Sequence, residues 1–427
     1  MSLHYALGFS MLQIAPVLPR KLRASVRGTG HAGAAWLRWV SRETLAEQRL
    51  WIHGASVGEG LVAKPILSRL RLALPGPVTA IHTYTSPSVA TWNGDIGADR
   101  TGYLPAPTQI TNVLLAFQPG LIMYPRADLW PPLVAGAGRL RIPQVIVGGR
   151  LSRGSSRLRW PARALYKEML SQMSAVCAVS ADDAERWTRI GVPPKTLRVT
   201  GDPRDDEIIA HTGSRGALRE LRDWAGHGFV FVAGSTHQSD TGPIIEAVSR
   251  CPHAIRLLVV PHDSARSASE EVRRRAGRAN LSANVWAPGD PSPTPDTRVV
   301  SVSANGLLRT LYGLGRAAYV GGGFEQSGVH SLAEAAAWGI PILAGGRALR
   351  DPEAARFIRG GGAESVRDGG QICNHLARWF ADDAERVRMG ERAQACLSHG
   401  AAEKTADIIL RTLSETTVTA RSESAHL

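Results

Sequence analysis

The sequence is poor in cysteine, and its few cysteines stand far apart. Four of the 427 residues are cysteine, and no two of them form a CxxC pair. A disulfide framework and a zinc ribbon are therefore not expected, and a reducing cytoplasm is the compartment that this composition favours. The four positions are Cys177, Cys251, Cys373 and Cys396.

Three catalytic signatures are also missing. The sequence contains no HExxH motif, no Walker A lysine pattern and no GxSxG nucleophile elbow. These motifs respectively bind a catalytic zinc ion, cradle nucleotide phosphates and present a nucleophilic serine. Metal catalysis and covalent serine chemistry therefore have no support in the motifs, and we predict no metal site and no cofactor.

What the chain does have is length and positive charge. A chain of 427 residues predicts two domains. With 44% hydrophobic and 20% charged residues it can bury ordinary cores, which excludes a disordered, collagen-like or mainly coiled-coil protein. Its 50 basic and 37 acidic side chains give a net charge of +13, which favours a partner carrying phosphates or carboxylates. Nucleic acid, anionic lipid and acidic sugar all fit that description, so only sequence motifs can distinguish among these three classes of partner.

The N-terminus is apolar between Leu3 and Leu18 and is followed by a cluster of basic residues. The apolar part is too short and too interrupted for a membrane span. A secretory signal has its positive charges before the apolar stretch, whereas here they follow it. We expect residues 1–30 to form a monotopic membrane anchor, with an ordinary first helix packed on the core as the alternative. The basic cluster consists of Arg20, Lys21, Arg23 and Arg27.

Short apolar runs then alternate with helical patterns, and this alternation occurs twice. The pattern is typical of parallel sheets wrapped by helices. A charged stretch, 201–226, can connect the two sets. We therefore predict an α/β fold of two doubly wound, Rossmann-like domains with an interdomain cleft, and ligands at the carboxyl ends of the strands. The predicted strands are 49–52, 77–82, 121–124, 144–147 and 174–179, and then 229–233, 255–260, 297–302, 317–320 and 340–344.

A carboxylate follows the first predicted strand, in the segment WIHGASVGEG (51–60). Glu59 lies in the first turn of a predicted helix, after a loop of small residues that leaves room for a substrate. It is therefore placed like a general base. The alternative is that Glu59 only interacts with the helix dipole. His53 is expected to be a hydrogen-bonded histidine at the strand end rather than a catalyst.

Two segments of the second half suit a nucleotide. Backbone N–H groups and hydroxyls in VFVAGSTH (230–237) can bind a phosphate, although Gly-Ser-Thr also makes a routine helix cap. Three glycines follow a strand in YVGGGFE (319–325), and a short helix is predicted from Ser331 to Trp338. The N-terminus of that helix can face a phosphate, and Glu334 can accept hydrogen bonds from ribose hydroxyls. The alternative is a glycine-lined turn with an incidental glutamate.

The order of these motifs resembles the 3-deoxy-D-manno-octulosonic acid (Kdo) transferases. The resemblance extends from about Arg49 to about Leu413 and includes seven or more motifs in the same order. The matching segments are Ser56-Val57-Gly58-Glu59, Thr83 to Ser88, Tyr103-Leu104-Pro105, Asp128-Leu129-Trp130, Arg150-Leu151-Ser152, Gly201-Asp202-Pro203-Arg204, Ala233 to Thr236, Gly321-Gly322-Gly323, His330 and Glu334.

The resemblance implies an inverting enzyme with the glycosyltransferase B fold, which attaches Kdo from CMP-Kdo to a lipid A precursor (lipid IVA) in lipopolysaccharide core biosynthesis. It implies an acceptor-binding domain over 31–205 and a nucleotide-sugar-binding domain over 206–427, whose last helix can return to the first domain. The implied partners are CMP-Kdo, the lipid A precursor and an anionic membrane surface, without nucleic acid. The implied location is the cytoplasmic face of the bacterial inner membrane, peripheral or monotopic.

The resemblance also implies roles for individual residues. Glu59 is the catalytic base. The acceptor or cleft residues are Ser56, Gly58, Thr85, Arg126, Asp128, Arg150 and Arg204. For Arg126, Asp128 and Arg204 the alternative is a role in surface or interdomain ion pairs. The nucleotide-binding residues are Ser235, Thr236, His262, Gly321, Gly322, Gly323, His330, Ser331 and Glu334.

The sequence departs from the family pattern at three places. Arg126 stands where many relatives have an acid, and Pro261-His262-Asp263 stands where Arg-His-Pro is usual. His330-Ser331 replaces the usual His-Asn. Two other functions stay open: a related glycosyltransferase that uses another nucleotide sugar, and a non-catalytic basic protein of the same fold that binds lipid or nucleic acid. The absence of an aromatic-rich basic platform counts against the second.

Overall fold

The computed structural model describes residues 20–424, except 91, 93, 153, 213–217 and 326–327. Side chains are also left undescribed at 20–27, 88 and 417–424. The apolar part of the expected anchor lies outside the described residues, as do the side chains of its basic cluster. The chain divides into two compact units, Met1–Glu207 with Ser398–Leu427, and Ile208–Leu397.

The first unit is built on a seven-stranded, all-parallel sheet in the order β3-β2-β1-β4-β5-β6-β7. The five inner strands are continuous runs of buried residues, as a sheet covered by helices on both faces requires. The strands are β1 (Gln48–His53), β2 (Val78–Tyr84), β3 (Arg100–Tyr103), β4 (Leu121–Pro125), β5 (Gln144–Gly149), β6 (Ala175–Ala178) and β7 (Leu197–Val199).

Helices cover both faces of this sheet and form two apolar clusters with it. The helices are α1 (Arg20–Val40), α2 (Val57–Ala73), α3 (Pro87–Ala90), α4 (Ile110–Phe117), α5 (Pro131–Arg139), α6 (Ala162–Leu170), α7 (Ala181–Ile190) and α8 (Pro203–Ala210), followed at the end of the chain by α17 (Ala401–Ser424). Helix α17 packs on the first unit, where Ile409 is fully buried beside strand β1 and helix α2.

The second unit repeats the architecture with seven parallel strands in the order β10-β11-β9-β8-β12-β13-β14. The strands are β8 (Phe229–Thr236), β9 (Ile255–Pro261), β10 (Ala283–Trp286), β11 (Val299–Val302), β12 (Ala317–Val320), β13 (Ile342–Gly345) and β14 (Ala363–Val366). The helices are α9 (Arg219–Ala225), α10 (Gln238–Arg250), α11 (Arg266–Arg278), α12 (Leu308–Leu311), α13 (Ala333–Ala336), α14 (Pro352–Arg359), α15 (Gly369–Ala381) and α16 (Asp383–Ala395).

All ten predicted strands are present, and the structure contains four further strands that were not predicted from the sequence. The missed strands, β3, β7, β10 and β14, are the four edges of the two sheets. An edge strand has neighbours on one side only, so it is short and carries partly exposed residues instead of an apolar run. The stretch 201–226 contains helices α8 and α9, and the boundary between the two units, at Glu207 and Ile208, falls within it.

The described part of helix α1 packs on the first unit as an ordinary helix. Ala32 and Trp36 are buried, and the indole Nε1 of Trp36 donates to the carbonyl oxygen of Tyr103 at 2.8 Å. Within the described part of the chain, no helix combines the length and the apolar character needed to cross a membrane.

Candidate active site

Glu59 lies at the carboxyl end of strand β1, in the first turn of helix α2. Strand β1 ends at His53, and a three-residue loop leads to Val57, where helix α2 begins. Ser56 is the residue that caps the helix, and Glu59 is its third residue. The Glu59 Oε2 atom accepts hydrogen bonds from the Ser56 backbone N–H at 2.9 Å and from the Ser56 hydroxyl at 3.1 Å. These two hydrogen bonds fix the carboxylate beside Ser56, the last residue of the loop.

The environment of Glu59 favours its protonated form more than water does. Burial is the main cause that raises the pKa of Glu59 above its usual 4.5, and the negative charge of Asp128 raises it further. The hydrogen bonds from Ser56 and the positive charge of Arg157 act in the opposite direction. A carboxylate with a raised pKa is a stronger base than one in water, and its fixed orientation suits it to accept a proton.

A strained turn after strand β4 carries Asp128 into the electrostatic environment of Glu59. Arg126 and Ala127 adopt positive φ angles of 58° and 69°, which non-glycine residues rarely do. The backbone N–H of Arg126 donates to Val147 of strand β5 at 3.0 Å, which holds the turn against the sheet. Backbone strain of this kind is concentrated at functional sites.

Two of the predicted cleft arginines are engaged by a buried aspartate. The Asp202 Oδ2 atom accepts hydrogen bonds from Arg126 at 2.8 Å and from Arg150 at 2.7 Å, and the Asp202 side chain is only 2% exposed. Burial alone would raise the pKa of Asp202, but the two guanidinium groups outweigh it and the pKa is lowered. Arg126 therefore forms a buried ion pair within the first unit, which is neither the surface nor the interdomain pair of the alternative. Its predicted role in the cleft stays a prediction. Arg204 is the second residue of helix α8, and its backbone N–H donates to Asp202 at 3.1 Å.

The other predicted acceptor residues surround the loop before helix α2. Thr85 follows strand β2, and the next residue, Ser86, donates its N–H to Ala55 at 2.9 Å. Gly58 is exposed, and a Cβ atom added there would meet no described atom within 4 Å. His53 is buried, with its Nδ1 3.0 Å from the Thr83 hydroxyl, as expected for a hydrogen-bonded strand-end histidine.

In the second unit, strand β8 ends in a bulge that shapes the predicted phosphate loop. The pairing of strands β8 and β9 shifts between Gly234 and Thr236, and Ser235 has a φ of 50°. A side chain at Gly321 would lie 2.1 Å from the Ser235 carbonyl oxygen, so only glycine permits this approach. The hydroxyl of Thr236 is buried and has no hydrogen-bond partner among the described residues. An unpaired buried hydroxyl is a candidate for binding a ligand.

Asp240 ties the glycine loop to the end of strand β8, and the sequence analysis missed it. It is fully buried, and its carboxylate accepts the N–H of Gly322 at 3.0 Å, the N–H of His237 at 2.7 Å and the hydroxyl of Tyr319 at 2.7 Å. The only signal in the sequence is its position, three residues after the helix-capping His237, where a carboxylate bonds back to the cap.

Two predicted nucleotide residues, His262 and His330, lie together with a third histidine, His237. The ring centroids are 4.6 Å apart between His262 and His330 and 4.8 Å apart between His237 and His262. The His237 and His330 Nε2 atoms are 3.0 Å apart. Burial, with the neighbouring His262 and His237, lowers the pKa of His330 to about 4. A cleft of about 160 Å³ beside this cluster is lined by residues that include Thr236, His237, His262 and Arg275.

The segment after the glycine loop differs from the prediction. The helix α13 spans Ala333–Ala336, one turn only, and not Ser331 to Trp338. The predicted bounds of this helix were therefore wrong, and the binding of a phosphate at its N-terminus stays a prediction. Glu334 lies in this turn with Oε1 3.7 Å from an Arg309 guanidinium nitrogen, and the Ser331 hydroxyl donates to Glu353. Arg157, which acts on the pKa of Glu59, was also missed, since nothing in its local sequence marks it.

Comparison with known proteins supports the family resemblance. Residues 33–207 match the profile of a family described as 3-deoxy-D-manno-octulosonic-acid transferase (kdotransferase). The 3-deoxy-D-manno-octulosonic acid transferase of Bordetella pertussis is 28% identical over 84% of this chain and 86% of its own length. The protein of the same name from Haemophilus influenzae is 26% identical over 73% of this chain and 74% of its own.

Solved structures share the fold at low sequence identity. A putative UDP-N-acetylglucosamine 2-epimerase from Listeria monocytogenes has a TM-score of 0.63 at 12% identity, covering 87% of this chain and 98% of that one. The UDP-GlcNAc 2-epimerase from Neisseria meningitidis bound to UDP-GlcNAc has a TM-score of 0.62 at 14% identity, covering 85% of this chain and all of that one. This likeness concerns the fold alone, which is of the glycosyltransferase B type. The chain is thus similar to 3-deoxy-D-manno-octulosonic acid transferases over most of its length, and the match to the family profile lies in its first half.

Proposed function

We propose that this protein transfers Kdo from CMP-Kdo to a lipid A precursor, lipid IVA, with inversion at the anomeric carbon and with Glu59 as the general base. The observation that carries the proposal is the half-buried carboxylate of Glu59, fixed by Ser56 and raised in pKa, at the carboxyl end of a central strand. The similarity to Kdo transferases supplies the donor and acceptor classes.

In the proposed step, Glu59 takes the proton of an acceptor sugar hydroxyl as that oxygen attacks the anomeric carbon of CMP-Kdo. The new bond joins the acceptor oxygen to the anomeric carbon. The bond from that carbon to the phosphate oxygen breaks, and CMP leaves from the opposite face with the electron pair. CMP is a good leaving group, so this step requires neither a metal ion nor a cofactor.

The second unit offers groups suited to the nucleotide. The Thr236 hydroxyl has no partner among the described residues and borders a cleft with His262 and Arg275. With Ser235 and the backbone of Gly321, Gly322 and Gly323, it would stabilise the phosphate of the donor. His330 and Ser331 would contact the nucleotide, and Glu334 would accept hydrogen bonds from ribose.

The first unit offers groups suited to an acidic acceptor. Gly58 leaves open space beside Glu59, Ser56 and Asp128 act on the Glu59 carboxylate, and Thr85 precedes Ser86, which bonds to the loop before helix α2. Arg204 would add a positive charge for the acceptor. The net charge of +13 favours a phosphorylated lipid and the anionic membrane that contains it. We therefore place the enzyme at the cytoplasmic face of the inner membrane, peripheral or monotopic.

The competing functions make different predictions in one assay. The purified chain is incubated with a tetra-acylated, bisphosphorylated lipid A precursor and, separately, with CMP-Kdo, UDP-GlcNAc or another nucleotide sugar, and products are followed by mass. The proposal predicts a lipid that gains one or more Kdo residues with CMP-Kdo alone. Transfer from another nucleotide sugar would assign a different donor, and binding of lipid without any product would indicate a non-catalytic protein.

A further inference from the structure

Three histidines that are distant in sequence meet in the second unit. His237 caps helix α10, His262 follows strand β9, and His330 follows the glycine loop. One ring nitrogen of each lies within 4.8 Å of those of the other two. No spacing in the sequence could have revealed this cluster, because its members come from three separate connections at the carboxyl ends of strands.

The ring nitrogens of His237 and His330 are spaced for a shared ion. Their Nε2 atoms are 3.0 Å apart, and their rings are nearly parallel, at 11°. Nitrogen ligands of tetrahedral zinc lie about 2.0–2.1 Å from the metal, which separates two of them by about 3.3 Å. Rotation of each imidazole about its Cβ–Cγ bond is a soft motion, so both lone pairs can turn toward His262.

A carboxylate lies near the Nδ1 atom of His237. The Glu325 Oε2 atom is 3.6 Å from the His237 Nδ1 atom, on the side of the ring away from His330. The Ser239 hydroxyl donates to the other Glu325 oxygen at 2.8 Å and fixes the carboxylate. This distance is that of an ion pair and not of a hydrogen bond. When the ring turns to bind an ion, its Nδ1–H can donate to this carboxylate, an arrangement that orients an imidazole and increases its basicity as a ligand.

The cluster also borders open space that can supply a further ligand. The cleft of about 160 Å³ includes His237, His262 and the unpartnered hydroxyl of Thr236. Three protein ligands with an open fourth position is the arrangement of zinc sites that also bind water or a substrate oxygen.

We propose that His237, His262 and His330 bind one divalent transition-metal ion of the Zn²⁺ class, with Glu325 as the positioning carboxylate and a fourth position open to an oxygen ligand. Imidazole ligands favour Zn²⁺, Ni²⁺ or Cu²⁺ over Mg²⁺ or Ca²⁺. This site goes beyond the proposed function, which needs no metal. It shares His262 and His330 with the proposed nucleotide site, so the ion and the donor are coupled.

The test is a Zn²⁺ titration of the chelator-stripped full chain against a chromophoric chelator. We expect one tightly bound Zn²⁺ per chain, and we expect Mg²⁺ in excess not to displace it. The variant His262→Ala should lose tight binding, and Glu325→Gln, which keeps all three imidazoles, should weaken it about tenfold. His375→Ala removes a histidine of the same unit outside the cluster and should bind like the unaltered protein. Melting temperatures without metal confirm that each variant is folded.

Two results would overturn the metal site: the absence of one tight equivalent in the unaltered chain, or unchanged Zn²⁺ affinity in both His262→Ala and Glu325→Gln. Substituting Co²⁺ gives a second readout, because three imidazoles and one oxygen produce the visible absorption of a tetrahedral ion. Transfer from CMP-Kdo is measured separately in excess chelator. Failure of that assay contradicts the proposed metal-independent transfer and leaves the Zn²⁺ result unaffected.

Discussion

The backbone N–H of Ser56 donates to the Glu59 carboxylate at 2.9 Å, and the Ser56 hydroxyl donates to the same oxygen at 3.1 Å. One carboxylate thus completes the first turn of helix α2 and is also held in a fixed position, as the proposed general base requires. The helix-end role and the catalytic role, which the sequence presents as alternatives, are compatible in this geometry.

The Ser56 hydroxyl should tune the acidity of Glu59. Its hydrogen bond stabilises the charged carboxylate, so Ser56→Ala should raise the pKa of Glu59 further. The acidic limb of kcat/KM against pH should then move to higher pH, and the free energy of unfolding should fall by about 1 kcal/mol. Ser68→Ala, on the exposed side of the same helix, is the control. If the acidic limb of kcat/KM does not move in Ser56→Ala, a group other than Glu59 controls the pH dependence.

Removing the charge of Asp128 should lower the pKa of Glu59, which is the opposite of the effect expected for Ser56→Ala. Asp128 raises the pKa of Glu59 by repulsion, so Asp128→Asn should lower that pKa and move the acidic limb to lower pH. The exposed acid of helix α17 gives the control Asp407→Asn, which should leave the limb in place. A shift to higher pH in Asp128→Asn would contradict the electrostatic account.

Gly58 should matter for the acceptor and not for folding. A Cβ at this helical position meets no described atom within 4 Å, so Gly58→Ala should keep or raise stability, by up to about 1 kcal/mol. If the acceptor occupies that space, KM for the lipid rises while KM for the donor stays constant. Gly277→Ala in helix α11 is the matched control, because its Cβ also meets nothing within 4 Å. If KM for the lipid is unchanged in Gly58→Ala, the acceptor does not occupy the space beside Gly58.

The buried carboxylate of Asp202 should stabilise the first unit. Its loss in Asp202→Asn leaves Arg126 and Arg150 without their shared negative charge, which should cost about 3 kcal/mol in urea unfolding at pH 7. The folded-state pKa of Asp202 is lowered, so its contribution is complete above about pH 4 and is lost as the pH falls further. Asp223→Asn, which breaks an exposed pair with Arg219, should change stability by less than about 1 kcal/mol. A similar small change in Asp202→Asn would contradict this role.

The inner strands could be predicted from the sequence because each is a buried apolar run. Edge strands such as Arg100–Tyr103 carry exposed polar residues and give no such signal. Local motifs likewise located Glu59 and the glycine loop, since both are determined by neighbouring residues.

The residues that contact these motifs from distant parts of the sequence could not be predicted. Arg126 was expected in the cleft, yet it pairs with Asp202, and the partner is 76 positions away. Asp240 and the cluster of His237 with His262 and His330 depend on which strand ends meet, and only the sheet order decides that.

The central claim is that Glu59 is the base in transfer from CMP-Kdo, and Glu59→Gln tests it most directly. The glutamine oxygen can still accept the hydrogen bond from the Ser56 N–H, so the helix end is retained while the proton acceptor is lost. We predict a fall in kcat of at least about 100-fold, with the melting temperature and CMP affinity unchanged. A Glu59→Gln enzyme that adds Kdo to the lipid at the rate of the unaltered protein would contradict the account.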